Sequence, residues 1–355
     1  MSERMGSCEA RWTSHECTRP ACCQNSGDGV AVPPHMTRRS PVLRTIAGML
    51  LGLSVCFGAV RAEEVAARTA TVMSEGVRLH ADLFYPKSQE GKRLPAVIMS
   101  HGWGGTAAML RTQATDIAAA GYLVVAFDYR GWGRSDSRVV LTGPAPVVGT
   151  GGEPRYTAEV REVREVVDPL DQAEDIFNVI HWASGEPMVD ADRIGLWGTS
   201  FSGGLVVYVA TREPRVRALV SQVGAMGWSR DRIPSTWLDA ALRAGRERSR
   251  GERGYPAPGA REVGNLRGGP ILEKFLRFSA VDGIERAGNC AMLFVTAEKE
   301  ELFDNREHAV LAHAKAVGPK RYVEIPGIAH YGIYGEARDQ ATRLAIEWFD
   351  MHLRP

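Results

Sequence analysis

The chain has 355 residues, of which 44% are hydrophobic and 24% charged, with a formal net charge of +1. That length supports a sizeable core in one or two domains, and the composition is ordinary for a globular protein. The near-neutral charge removes any general attraction to nucleic acid or acidic surfaces, so function has to be read from local motifs.

Residues 1–35 contain Cys8, Cys17, Cys22 and Cys23, with neither apolar periodicity nor the CxxC pairing of a zinc site. From Met36 the layout changes. Arg38, Arg39 and Arg44 precede an apolar run from Ile46 to Val60, and the small Ala62 follows at a cleavage position. This is the layout of a secretory signal peptide, and the run is shorter than the roughly 20 residues of a membrane-spanning helix. We therefore expect translation from Met36, a signal over 36–62, and a periplasmic or secreted domain over 63–355 without stable membrane insertion. Residues 1–35 are then a mis-assigned start or a disordered extension. Of six cysteines only Cys290 belongs to the mature domain, so no internal disulfide is expected there, and Cys290 reads as a core residue.

"ARTATVMSEGVRLHADLFYP" alternates as a β-hairpin turning at Glu75-Gly76. "LPAVIMSHG" and "YLVVAFDYR" are continuous apolar runs of the buried-strand kind, separated by the helical "AAMLRTQATDIAAAG". "DPLDQAEDIFNVIHWASG" is an amphipathic helix closed by Gly185. Then come the strand "RIGLWGTS", the helix "GGLVVYVATRE", and the strands "VRALVSQVG", "AMLFVTAE" and "RYVEIPG". The segments "EHAVLAHAKAVG" and "EARDQATRLAIEWFDMHL" read as helices. Such alternation predicts an α/β fold, a mostly parallel central sheet with helices on both faces. Residues 136–168 and 226–286 break the rhythm and are expected as cap excursions above the carboxyl edge, where ligands bind in such sheets. The arginines of "RAGRERSRGER" alternate with glutamates and read as a solvated surface rather than a nucleic-acid patch.

In "RIGLWGTSFSGG", Gly198 and Ser200 fit the first part of a Gly-x-Ser-x-Gly turn, but Ser202 stands where the second glycine belongs. Ser200 lies between an expected strand and an expected helix, which is where a nucleophile is held on a sharp turn. A serine hydroxyl is a weak nucleophile, so a base, a group orienting that base, and oxyanion donors should accompany it. His330 is the best base: it follows the last strand and a Pro-Gly turn, while His308 and His313 read as helical and sharing no face. Among the carboxylates of "LFVTAEKEELFDN", Glu300 has the fitting loop position and Glu301 is the alternative. The backbone N–H groups of Phe201 and Trp103, the latter in the glycine-rich "SHGWGGT", are the candidate oxyanion donors. Tyr331 adjoins the base and should line the substrate pocket.

The series HGWGG (101–105), DYRGWGRSD from Asp128, GTSFSG (198–203), AEKEEL (297–302) and GIAHYGIY (327–334) resembles the α/β-hydrolase superfamily across residues 70–355. It is most similar to dienelactone-hydrolase-like and Xaa-Pro dipeptidyl-peptidase (S15)-like enzymes. The chain departs from the former in having Ser200 instead of a cysteine nucleophile, and from the latter in lacking a large C-terminal β domain after its last helix. The resemblance gives Ser200, Glu300 and His330 the triad roles, with Trp103 and Phe201 as oxyanion donors, and it implies no cofactor and no metal. The expected function is hydrolysis of a carboxylic ester of a small molecule through an acyl-enzyme. An exopeptidase or amidase is the alternative, and a non-catalytic binding protein on the same fold is a third reading.

Overall fold

A computed structural model describes residues 63–354 except positions 148, 150, 152 and 154; the expected extension (1–35) and signal (36–62) lie outside the described residues. The hairpin forms first in the chain, as β1 (Val65–Ser74) and β2 (Val77–Pro86). Its two-residue turn places both Glu75 (φ 47°) and Gly76 (φ 84°) in left-handed backbone, the geometry that matches the twist of the flanking strands. Next come β3 (Leu94–Ser100), α1 (Arg111–Ala119) and β4 (Leu123–Phe127). The first excursion holds β5 (Arg138–Leu141), β6 (Val160–Val163) and the short β7 (Val166–Val167).

The chain then re-enters the layered body through α2 (Pro169–Gly185), β8 (Val189–Thr199), α3 (Phe201–Ala210) and β9 (Val216–Gln222). Asp168 caps α2 by accepting from the Leu170 and Asp171 N–H groups, and Pro169 occupies the first helical position, where its missing N–H costs nothing. The second excursion carries α4 (Ser235–Ser249), β10 (Gly269–Pro270) and α5 (Leu272–Phe275). The last elements are β11 (Ala291–Lys299), α6 (Ala309–Lys315), β12 (Lys320–Ala329) and α7 (Arg338–Leu353).

Eight strands form one sheet in the order β1-β2-β4-β3-β8-β9-β11-β12. The pairs β1/β2 and β2/β4 are antiparallel, and all other neighbours run parallel. Alternate residues of each central strand serve opposite layers. Ala96 and Ile98 of β3 face the layer of α2 and α3, packing with Ile176, Val179 and Leu205. Val97 and Met99 face that of α1 and α7, with Ile117, Trp348 and Phe349. Parallel strands buried on both faces explain why these segments read as unbroken apolar runs. Cys290 is buried and unbridged, and burial pushes its thiol pKa up.

The turn after β4 is a structural clamp. Asp128 accepts from the N–H groups of Ala107 (2.7 Å) and Arg134 (3.0 Å), tying the loop after β3 to its own turn. Arg130 reaches the fully buried Asp175 on α2 through both Nε (2.9 Å) and its backbone N–H (2.9 Å). Several arginines of the second excursion are paired with glutamates, among them Arg248 with Glu273 (2.6 Å) and Arg253 with Glu247 (2.8 Å). Among the described residues no helix is long and apolar enough to cross a membrane.

Candidate active site

Three strand ends meet at the carboxyl edge. Ser200 follows β8, and its N–H donates to the Gln222 carbonyl at the end of β9 (2.8 Å). Its backbone is in a sparsely populated conformation (φ 54°, ψ −125°), a strain on the order of 1–3 kcal/mol that the surrounding structure must hold in place. Steric exclusion explains the glycine two residues before it: a Cβ on Gly198 would stand 2.3 Å from the Ser202 carbonyl oxygen.

Ser202 resolves the oddity of the motif. Its side chain is fully buried and its hydroxyl lies 2.5 Å from Ser100 Oγ and 2.9 Å from Tyr129 OH. The hydroxyl that departs from the glycine rule is thus matched by two partners from the ends of β3 and β4, beneath the turn. Nothing in the local sequence around 200 announces those partners, which lie 102 and 73 residues away.

The other two groups come from neighbouring strands. In the β11/β12 pairing Lys299 is opposite Ala329, so the next residue of each strand, Glu300 and His330, emerges side by side. His330 Nδ1 lies 2.8 and 2.9 Å from the two Glu300 carboxylate oxygens, and Nε2 is 3.0 Å from Ser200 Oγ. A carboxylate only accepts, so Nδ1 carries the proton and the Nε2 lone pair receives the Ser200 hydroxyl. Both side chains are sealed from water, at 1% and 3% exposure for His330 and Glu300. Glu300 Oε1 also accepts from the Leu302 N–H (3.1 Å). Glu301, the alternative orienting acid, does something else: its Oε2 accepts from the His330 backbone N–H (2.7 Å) and fixes the main chain rather than the ring.

The loop after β3 lies directly against Ser200. A Cβ at Gly102 would stand 2.8 Å from Ser200 Cβ and 2.9 Å from the Thr199 carbonyl, so only glycine allows the Trp103 backbone this close. Phe201 is the first residue of α3, where a helix leaves its N–H groups without intrahelical acceptors. The Trp103 and Phe201 rings meet edge to face at 5.5 Å. On the far side of the serine, Tyr334 OH is 2.8 Å from Thr199 Oγ1, which accepts from Gln222 Nε2 (3.2 Å). Burial of that phenol pushes its pKa up to about 12, so it stays protonated as a neutral hydrogen-bonding group.

Ser200 opens onto a cavity of about 800 Å³ walled by Trp103, Phe201, Trp237, Phe275, Phe303 and Tyr331. Phe275 of α5 stacks between Phe201 (5.5 Å) and Trp237 of α4 (5.7 Å). The second excursion therefore supplies Trp237 and Phe275 to the aromatic wall, and Trp103 Nε1 donates to its Gly268 carbonyl (3.1 Å). Tyr331 also lines the cavity, and Trp237 and Phe275, which carry no motif in the sequence, line it with Tyr331. His308 is also on this wall. It precedes α6 rather than lying within it with His313, and it is buried, a correction to its reading as an ordinary helical residue.

Comparisons with known proteins agree with this architecture. The family model for X-Pro dipeptidyl-peptidase (S15 family) matches residues 75–238. An uncharacterised 31.7 kDa protein of Escherichia coli is 25% identical over 287 residues, covering 73% of this chain and 91% of its own. The quorum-quenching protein AidA of Acinetobacter baumannii is 32% identical over 150 residues, 42% of this chain and 41% of that one. The crystal structure of the α/β hydrolase GrgF from Penicillium superposes with a TM-score of 0.60 at 21% identity, covering 82% of this chain and 99% of that one. The chain has the α/β-hydrolase fold.

Proposed function

We propose that the protein is a serine hydrolase cleaving a carboxylic ester through an acyl-enzyme intermediate. One observation carries this reading: the unbroken hydrogen-bonded chain from Ser200 Oγ through His330 to Glu300, opening onto an apolar cavity. His330 Nε2 takes the hydroxyl proton as Oγ attacks the acyl carbonyl, and the buried Glu300 carboxylate stabilises the imidazolium that forms. The Phe201 N–H, next to the strained Ser200, and the Trp103 N–H, in the loop packed against it, are the donors for the tetrahedral oxyanion. His330 then protonates the departing alcohol, and water activated by the same imidazole releases the acid. The aromatic wall suits an apolar acyl group, and the signal-like segment at 36–62 belongs with a periplasmic or secreted enzyme.

An exopeptidase on the same framework would need a carboxylate to hold a substrate amine. Glu301 is the acidic side chain among the described residues that line the cavity, and one of its oxygens is already committed to the His330 N–H. The ester reading is therefore the stronger. The test is hydrolysis of p-nitrophenyl acyl esters and of matched p-nitroanilides by the purified protein and by Ser200→Ala. Ester hydrolysis that disappears in the variant supports the reading. Anilide turnover at comparable rates would transfer it to amides, and no turnover with no labelling by a fluorophosphonate would remove it.

A further inference from the structure

His308 is a second histidine in the cavity that the proposed chemistry does not use. Its ring is buried between Phe303 (centroids 4.5 Å apart) and Trp228 (6.2 Å). Its Nδ1 lies 2.9 Å from the Met226 backbone nitrogen. An amide N–H can only donate, so Nδ1 is the acceptor and the single proton of the neutral ring sits on Nε2. Burial lowers the His308 pKa to about 4, against the smaller upward pull of Glu307 and Asp304, so the ring is neutral in ordinary buffers. Met226 follows Ala225, whose N–H donates to the Ser200 carbonyl (3.0 Å), so the residue that orients this imidazole adjoins one bonded to the nucleophile itself.

We infer that His308 is a specificity-determining residue whose Nε2–H donates to an oxygen acceptor carried on the acyl group of the substrate. This deepens the ester reading and rests on it. The substrate class is then an acyl ester whose otherwise apolar chain bears one carbonyl, ether or hydroxyl oxygen. The geometry favours an uncharged acceptor of this kind: an aromatic cavity with one neutral, fixed donor discriminates by leaving that donor unpaired when the acceptor is missing.

The test uses the full chain with Ser200→Ala, so that esters bind without turnover. Calorimetry then compares p-nitrophenyl hexanoate with analogues in which an ether oxygen replaces one methylene at each chain position in turn. Two substitutions at 308 separate structure from recognition. His308→Asn keeps an acceptor near the Nδ1 position for the Met226 N–H and removes the pocket donor. His308→Gln places an amide donor near the Nε2 position and gives up the acceptor. The expected result is one oxygen position that binds more tightly than its hydrocarbon twin, a preference that falls about tenfold in His308→Asn and survives in part in His308→Gln. A preference unchanged in His308→Asn, or none at any position, overturns the inference. So does a nitrogen-15 spectrum of the imidazole showing the proton on Nδ1 at neutral pH. Failure of the hydrolysis reading would look different, since the wild type would then bind these esters selectively without cleaving them.

Discussion

Ser200, Glu300 and His330 are held by the ends of paired parallel strands, with backbone register bringing each next to the other. Trp237 and Phe275 reach the same cavity from α4 and α5, elements outside the sheet anchored by side-chain stacking and by half-buried ion pairs, Arg248 with Glu273 and Lys274 with Asp168. The proposed reacting groups thus belong to the hydrogen-bonded sheet, and the groups proposed to meet the rest of a substrate to an excursion outside it. The carboxyl ends hold these groups in place because β8 and β11 are hydrogen-bonded on both sides and β12, the last strand, is kept in register by β11. An excursion can change its lining residues without disturbing that register. Chemistry and selectivity should therefore respond separately to substitution.

The largest effect tests the sheet edge. Ser200→Ala should lower kcat for any ester by on the order of 10⁴-fold or more, because base and oxyanion donors act through that one oxygen. Glu300→Gln should cost on the order of 10³- to 10⁴-fold, since an amide can donate to Nδ1 and invert the tautomer. Glu301→Gln still offers an acceptor to the His330 N–H, and less than tenfold should be lost. Steady-state rates on one activated ester compare all three. Equal losses at 300 and 301 would mean that main-chain placement of His330, rather than orientation of its ring, limits the reaction.

His308 lies at the seam between the two regions, joining the loop after β11 to the first residues of the second excursion. Its pKa is depressed from 6.5 to about 4 by burial. The unfolded chain therefore binds this proton more readily than the folded one, and the stability present above about pH 6.5 drains away as pH falls toward 4. The full difference is about 3 kcal/mol from the size of that shift, a linkage estimate of order-of-magnitude quality. Melting temperatures of wild type and His308→Asn across that window should converge at the acid end. Parallel curves would show that the ring titrates normally and the seam is open to water. His101, also buried with a lowered pKa, remains in both proteins and leaves a common acid slope.

Those same contrasts explain what could be read before any coordinates. An apolar run followed by small residues pointed to Ser200 and to the glycine loop at 101–105, while His330 was reached by elimination and by its place after the last strand and a Pro-Gly turn. The choice between Glu300 and Glu301 depends on a bulge in the β11/β12 pairing between Ala297 and Lys299, which shifts the register and has no sequence signature here. The buried hydroxyl set of Ser100, Tyr129 and Ser202 is likewise a tertiary fact: each serine alone looks ordinary. The second excursion was least legible. Its arginines dominate its composition yet pair with nearby glutamates, while the residues that reach the cavity, Trp237 and Phe275, are single aromatics in a polar stretch.

The smallest expected effect is the one that bears most directly on the division between regions. Trp237→Ala removes a ring from the outer wall and touches none of the strand ends. Burial of apolar surface contributes roughly 25 cal/mol per Å², so a chain long enough to reach the ring should lose about tenfold in kcat/KM, while an acetyl ester loses less than threefold. The loss should appear in KM, because contacts remote from the reacting carbonyl act alike in ground and transition states. A series of p-nitrophenyl esters of increasing acyl length gives the profile. If short and long esters lose equally, Trp237 acts by holding Phe275 and Phe201 against the nucleophile turn, and the excursion is then part of the catalytic framework rather than a selective lining laid over it.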